Sequence, residues 1–176
     1  MAVNLSVRQF NDPDLVNTID QVLEATGLLP ECLQLEVTER GILDNPEQAI
    51  ETMNILRAKG IHFSIDDFGM GYSPLSYLKR FPIDILKIDR TFVNEATTNS
   101  DDQEIIRTII SMARTLHMET VAEGIETQEQ LDFLAYQGCH MMQGYYFGRP
   151  MPADQFEALL PQQGTTPEEK QRDSSS

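Results

Sequence analysis

The sequence predicts a protein of the α/β class built on a parallel sheet, because short β-rich runs alternate with amphipathic helical stretches. The strand-like runs end at positions about 20 to 36 residues apart, which is the size of a βα unit. Helix-start signals such as Asn11-Asp-Pro13 and Asn45-Pro46 follow the first two of these runs. An open doubly wound sheet and a closed barrel both fit this pattern, since both join parallel strands by right-handed crossovers.

The first half of the chain contains three predicted strands, each a short run rich in β-branched or aromatic residues. They cover residues 3–7, 34–38 and 62–65. Helices are predicted over 13–27, 46–60 and 74–80, because each stretch carries apolar residues at helical spacing. Gly60 ends the second of these helices, as expected for a residue that tolerates left-handed backbone.

The second half repeats the same alternation. Strands are predicted over 84–88, 120–122 and 140–142, and helices over 103–117, 127–136 and 152–160. The residues from 1 to 160 therefore make one domain, and no internal repeat is visible. Residues 161–176 are rich in Gln, Thr, Glu and Ser and lack apolar anchors, so we expect a disordered tail.

Bulk composition limits where the protein works. Its 176 residues contain no apolar run near the roughly 18–20 residues that span a bilayer, so no membrane contact is expected from this segment. The N-terminus lacks the basic and apolar blocks of a secretory signal. Cys32 and Cys139 lie far apart and form no disulfide framework. These features predict a cytoplasmic protein.

The net charge of −15 argues against binding to a nucleic-acid polymer, because such binding depends on basic patches. It does not exclude a small phosphate ligand. An acidic cleft accepts an anion once bound metal ions have reversed the local charge.

Polar side chains recur where the predicted strands end. They are Asn4, Glu36, Asp66 with Asp67, Lys87, Glu123 and Gln143. In a barrel of parallel strands all carboxyl ends open on one face, where catalytic groups gather. Each residue alone has an ordinary explanation, since Asp66 and Asp67 could cap a helix and Lys87 could extend to solvent. The recurrence at one phase of the repeat favours a shared site.

Metal-assisted hydrolysis of a phosphodiester suits this set of residues. Two divalent ions held by carboxylates lower the pKa of a bound water and place it in line with phosphorus. An ammonium such as Lys87 offsets charge on the phosphate oxygens. Gly69 and Gly71 would let the loop after Asp67 turn sharply over a substrate.

Long, ordered motifs in this chain resemble the EAL domain of bacterial cyclic di-GMP phosphodiesterases over residues 2–160. The motifs are Glu36-Val-Thr-Glu39, Asp66-Asp-Phe-Gly-Met-Gly-Tyr-Ser73, Leu86-Lys-Ile-Asp89, Ala122-Glu-Gly-Ile-Glu-Thr127 and Gln143-Gly-Tyr-Tyr-Phe-Gly-Arg-Pro-Met-Pro152. The resemblance implies a (β/α)8 TIM-like barrel, here N-terminally incomplete with about six βα units. It also implies hydrolysis of cyclic di-GMP to linear pGpG with two Mg²⁺ or Mn²⁺ ions.

The resemblance also implies a role for each site residue. The metal ligands would be Asn4, Glu36, Asp66, Asp67 and Glu123, with Asp66 bridging the two ions. The catalytic set would be Lys87, Glu123 and Gln143, with Lys87 on the attacking water. Glu39, Gly69 and Gly71 would stabilise the loop after Asp67, which also takes part in dimerisation in this family.

The chain departs from the family pattern in three places. Met70 and Pro74 replace residues of a loop that resembles Gly-Thr-Gly-Tyr-Ser-Ser in the family. The Glu-Ala-Leu signature of an earlier strand is absent, and Glu157-Ala-Leu159 falls in the last predicted helix instead. We therefore expect the chain to begin at the third strand of the family barrel, without one metal ligand.

Three functions remain open from the sequence. The first is a phosphodiesterase domain, tethered in its parent to a sensory or output domain and able to form a homodimer. The second is a non-catalytic module that binds cyclic di-GMP or a partner protein through the same face. The third, a Mg²⁺-dependent barrel of the enolase sort, is disfavoured by the loop and Gln143-Gly-Tyr motifs.

Overall fold

The fold is a single parallel sheet with helices between its strands, as the α/β prediction requires. The computed structural model describes residues 1–69 and 75–159. The strands are β1 (Ala2–Asn4), β2 (Gln34–Thr38), β3 (His62–Phe68), β4 (Ile85–Ile88), β5 (Glu119–Glu123) and β6 (Met141–Gln143). The helices are α1 (Val7–Phe10), α2 (Leu15–Thr26), α3 (Glu39–Leu43), α4 (Pro46–Arg57), α5 (Leu75–Leu78), α6 (Arg90–Glu95), α7 (Ser100–Thr115), α8 (Gln128–Gln137) and α9 (Ala153–Glu157).

The strand order is β1-β2-β3-β4-β5-β6, and every neighbouring pair is parallel. Such an order places all crossover helices on one face when the crossovers share one hand, as in a barrel. A single cleft is lined by residues of β1, β2, β4, β5 and β6, so the sheet curls around it. The structure confirms the barrel-type alternative, as a six-stranded part-barrel, over the doubly wound one.

The core lies between the convex face of the sheet and the helices. Alternate strand residues such as Leu35, Phe63 and Leu86 are buried there, as the two-residue period of a strand requires. Met53 of α4 and Ile106 of α7 are fully buried against them. The intervening strand residues face the concave side, which leaves that side free to carry polar groups.

Most predicted elements are confirmed, but β1 is shorter than predicted. It ends at Asn4 and not at Val7, because Ser6 caps α1 and forms a capping box with Gln9. The strand β3 runs three residues further than predicted, to Phe68.

The helices α1, α3 and α6 were not predicted. They are short, and each begins at a side-chain cap: Ser6 before α1, Thr38 before α3 and Asp89 before α6. Glu157 is the last residue of α9, so the tripeptide Glu157-Ala-Leu159 lies in the last helix only at its first residue, and the other two follow the helix. The predicted tail 161–176 lies outside the described residues. Within 1–69 and 75–159, no helix has both the length and the apolar character needed to cross a membrane.

Asp84 fastens the amino-terminal ends of β3 and β4 together. Its Oδ2 accepts a hydrogen bond from the backbone N–H of Phe63 at 3.0 Å, and its Oδ1 lies 2.9 Å from Arg57 Nη2. His62 Nδ1 lies 3.4 Å from the same Oδ2. Because Phe63 is fully buried, its N–H has no water to replace this acceptor.

Asp84→Ala is expected to lower the free energy of unfolding by about 1–3 kcal/mol, because it leaves the Phe63 N–H without its acceptor. Urea denaturation measures this loss. Asp20→Ala is the matched control, since it removes only the surface ion pair with Lys59, and its cost is about 0.2–1 kcal/mol. Equal losses from the two substitutions would contradict the assigned role of Asp84.

Candidate functional site

Three carboxylates from three strands converge on one lysine ammonium at the concave face. Lys87 lies in the middle of the sheet on β4 and is only 6% exposed. Its Nζ lies 2.7 Å from Glu36 Oε2 on β2 and 2.7 Å from Glu123 Oε1 on β5. Asp66 Oδ1 on β3 lies 3.0 Å away. The predicted convergence of Glu36, Asp66, Lys87 and Glu123 is therefore what the structure shows.

The contact between Lys87 and Asp66 differs from that between Lys87 and Glu36, which is a hydrogen bond. Asp66 Oδ1 is buried and has no hydrogen-bond partner among the described residues, although the ammonium is only 3.0 Å away. The short distance makes this an ion pair whose angle is unsuited to a hydrogen bond. Asp66 Oδ1 therefore has hydrogen-bonding capacity that no described protein group uses.

A β-bulge places the two adjacent aspartates. Ile65 pairs with Leu86 and Phe68 pairs with Ile88, so Asp66 and Asp67 together oppose Lys87 alone. Asp67 has the left-handed φ of 54°, which is uncommon for a residue other than glycine. Adjacent residues of a regular strand point to opposite faces, whereas a bulge re-aims one of them. The bulge thus turns the backbone at the point where the site needs two neighbouring carboxylates.

Asp89 is a further carboxylate beside this bulge. It caps α6 by accepting a hydrogen bond from the Thr91 N–H at 2.8 Å. Burial opposes ionisation of Asp89, but the hydrogen bonds from Thr91 and Asp67 outweigh it and lower its pKa. Partial burial and the neighbouring Asp66 charge, together with Asp89, raise the pKa of Asp67. The two pKa values are therefore shifted in opposite directions, that of Asp67 upward and that of Asp89 downward.

Glu39 and Gly69 meet where the polypeptide leaves β3. Glu39 is buried at the start of α3, and its Oε2 accepts a hydrogen bond from the Gly69 N–H at 3.4 Å. Gly69 has a φ of 98°, and an added Cβ would lie 3.0 Å from the ring of Phe92. Both the backbone and the space at this position therefore favour glycine. Gly71, Met70 and Pro74 lie outside the described residues.

The two amide residues lie at the sides of the cluster. Asn4 ends β1, pairs in register with Glu36 and is exposed. Gln143 ends β6 and pairs in register with Glu123. Gln143, Glu36 and Lys87 line one cleft of about 400 Å³. The structure thus places Gln143 in the same cleft as Glu36 and Lys87. Asn4 lies next to Glu36 on the edge strand β1.

The arrangement raises the pKa values of both Lys87 and Glu123. Burial disfavours the Lys87 ammonium, but its contacts with the Glu123, Glu36 and Asp66 carboxylates outweigh burial and raise the pKa of Lys87. Burial raises the pKa of Glu123, and the Asp66 and Glu36 charges add to this effect against the opposing contact with Lys87. Lys87 is therefore a permanent cation, whereas Glu123 takes up a proton more readily than an ordinary glutamate.

The donor chemistry of this cluster fits a hard divalent cation. Carboxylate and amide oxygens are the ligands that Mg²⁺ prefers, and three carboxylates face only one ammonium. The unused hydrogen-bonding capacity of Asp66 Oδ1 agrees with this fit. In the described ranges no three His, Cys, Asp or Glu side chains are grouped ready to hold a metal. The ammonium occupies the point where the carboxylates meet, so a cation that binds there must share or displace it.

Sequence reasoning did not assign a role to Asp89, Gly124 or Gly144. Asp89 follows Lys87 by two residues at the end of β4, so the strand-end rule that selected Lys87 could have found it. Gly124 has a φ of 77° and directly follows Glu123. Gly144 directly follows Gln143, and its contact with another loop leaves no signal in the local sequence.

Comparison with known proteins gives consistent results. The model of the family described as EAL domain matches residues 1–150. The bifunctional diguanylate cyclase/cyclic di-GMP phosphodiesterase MucR of Pseudomonas aeruginosa is 46% identical over 160 residues, which are 91% of this chain and 23% of MucR. The chain spans about a fifth to a quarter of the length of the curated relatives it matches.

Two solved structures extend this comparison. The PaMucR phosphodiesterase in its c-di-GMP complex matches with a TM-score of 0.85 and 46% identity, covering 88% of this chain and 63% of that one. Klebsiella pneumoniae BlrP1 in a manganese/cy-diGMP complex matches with a TM-score of 0.77 and 35% identity. That match covers 85% of this chain and 38% of BlrP1.

In the absence of divalent metal, the free energy of unfolding should fall as pH rises from about 4.5 through the raised pKa of Glu123. The folded chain binds the Glu123 proton more tightly than the unfolded chain does, so deprotonation favours unfolding. Glu123→Gln should reduce this slope, whereas Glu119→Gln, an exposed change on the same strand, should not. Urea titrations in EDTA at several pH values measure the slope. An unchanged slope in Glu123→Gln would contradict the assignment.

Proposed function

This chain belongs to the EAL domain family, and from that premise we propose that its concave face binds and hydrolyses cyclic di-GMP to linear pGpG. The observation that carries the proposal is the convergence of Glu36, Asp66 and Glu123 on Lys87. Relatives with this family's fold have been solved in complexes with cyclic di-GMP. The proposal concerns the segment that this chain spans, with any tethered sensory or output domain acting on it.

We propose that Asn4, Glu36, Asp66, Asp67 and Glu123 would hold two Mg²⁺ or Mn²⁺ ions. The manganese complex of BlrP1 and the excess of carboxylate charge around Lys87 support a divalent cation. Bound there, the ions would supply a water of lowered pKa and positive charge for the phosphate oxygens. Glu39 and Gly69 would keep the backbone after Asp67 in place.

In the proposed chemistry, Lys87, Glu123 and Gln143 have different roles. Lys87 keeps its proton at neutral pH because three carboxylates surround its ammonium, so it serves as a hydrogen-bond donor and not as a base. Its Nζ can orient a water or neutralise a phosphate oxygen. The pKa of Glu123 is raised in the metal-free chain, and a bound cation would favour its ionised form. Gln143 would fix the substrate or water from the β6 side.

A non-catalytic module that binds cyclic di-GMP or a partner protein is the second candidate. Two observations favour it. The ammonium of Lys87 occupies the point where the carboxylates meet. The described ranges contain no group of three or more His, Cys, Asp or Glu side chains that could hold a metal ion. A cytoplasmic location and a homodimer built near the loop after Asp67 belong to the proposal for either function.

Incubation of the chain with cyclic di-GMP and Mn²⁺ separates these candidates, with the linear product detected by chromatography. Formation of pGpG supports the enzyme, and binding by calorimetry without product supports the binding module. The absence of both binding and product would refute the enzyme and the module that binds cyclic di-GMP.

Lys87→Met should reduce turnover at least about 100-fold, because it removes the one cation that contacts all three carboxylates among residues 1–69 and 75–159, while keeping the side-chain length. Lys79→Met is the matched control, since Lys79 is an exposed lysine at another surface, and its turnover should equal that of the unaltered chain. Initial rates of pGpG formation measure both variants. Retained turnover in Lys87→Met would rule out the assigned role of the ammonium.

A further inference from the structure

Two loops of the site touch through their backbones with no side chain between them. The N–H of Ile125, in the loop after β5, donates to the Gln143 carbonyl at 3.0 Å. The Ile125 carbonyl accepts from the Tyr146 N–H at 2.9 Å. Both polar groups of this fully buried residue are thus satisfied by the loop after β6. We call the contact between the Ile125 peptide and residues 143–146 the loop clasp.

Gly144 is what permits the loop clasp. A Cβ at position 144 would lie 2.1 Å from the Ile125 carbonyl oxygen and 2.2 Å from the Ile125 nitrogen. Both atoms belong to backbone, so they cannot rotate away as a flexible side chain would. The reason for glycine is therefore close approach of two backbones, one of the uses that its missing Cβ allows.

The other side of the same loop is equally confined. Gly124 has a left-handed φ of 77°, and a Cβ there would lie 2.6 Å from Arg90 Cβ at the start of α6. Residues 124–125 are thus held between α6 and the loop after β6. Glu123 directly precedes this segment, and its Oε1 makes the 2.7 Å contact with Lys87 Nζ.

We infer that Gly144 is a positioning residue of the cation site, acting through Glu123 and Gln143. Each loop of the clasp carries a proposed site residue next to it, Glu123 before Gly124 and Gln143 before Gly144. Any side chain at position 144 separates the loops and moves both residues from the cleft. The inference rests on the proposed function, because it assumes that Glu123 helps to hold a divalent cation.

The test is the affinity for Mn²⁺ alone, measured by calorimetry on the full chain, together with the unfolding midpoint. Gly144→Ala should weaken Mn²⁺ binding by about tenfold or more, as changes to residues that orient metal ligands do. Gly148→Ala lies in the same loop with open space around it, and Met151 Cε is 3.9 Å away, so it should bind Mn²⁺ normally.

Gly27→Ala controls for lost stability. Gly27 ends α2 with a φ of 67° and nothing within 4 Å, so its substitution strains the backbone far from the site. It should lower the unfolding midpoint and leave Mn²⁺ affinity unchanged. The positioning role is overturned if Gly144→Ala binds Mn²⁺ like the unaltered chain, or if Gly27→Ala weakens binding as much at an equal loss of midpoint.

A measurement on the unaltered chain covers the case in which Gly144→Ala fails to fold. If the loop clasp helps to form the cation site, Mn²⁺ must in turn stabilise the loop clasp. Mn²⁺ should therefore slow hydrogen exchange of the Ile125 and Tyr146 amides more than that of the amide of Gly27, the C-terminal cap of α2. Equal slowing at the three amides overturns the inference. Failure of the unaltered chain to bind Mn²⁺ refutes the proposed metal site and the positioning role together.

Discussion

The ion cluster around Lys87 is the interaction on which the rest of the site depends. A buried ammonium is costly unless its charge is paired, and here Glu36, Asp66 and Glu123 pair it from three strands. A shift in the register of any one of these strands would separate Lys87 from at least one carboxylate. Because breaking a buried pair leaves an uncompensated charge, the cluster couples the register of β2, β3, β4 and β5. The same carboxylates that hold the ammonium are the oxygen donors that a divalent cation requires.

The site departs from regular backbone where it needs more than a sheet can supply. A regular strand would send Asp66 and Asp67 to opposite faces, and the β-bulge with its left-handed residue changes that. Backbone in sparsely populated conformations persists only when its surroundings enforce it. Pairing of Phe68 with Ile88 and the Glu39 contact to the next residue, Gly69, supply that enforcement. The strain at Asp67 is thus part of the construction of the site.

Much of this arrangement was predictable from the sequence, because strand-end positions follow from a short apolar run and a βα spacing. Glu36, Lys87 and Glu123 could be placed on one face by that rule alone. The bulge at Asp67 could not be predicted. A glycine in a sequence signals a left-handed φ, whereas an aspartate does not. The early end of β1 could have been predicted from the Ser6 and Gln9 capping box, a local signal that competed with an apparent strand period. The approach of Gly144 to Ile125 joins loops distant in sequence, so only the folded chain reveals it.

The central claim is that the carboxylates around Lys87 bind divalent cations, and anomalous diffraction from crystals grown with Mn²⁺ and cyclic di-GMP tests it most directly. The account predicts manganese peaks at coordination distance from oxygens of Glu36, Asp66 and Glu123, with the Lys87 ammonium moved from the centre of the cluster. Manganese found only elsewhere, with Lys87 Nζ still 2.7 Å from both Glu36 and Glu123, would contradict it.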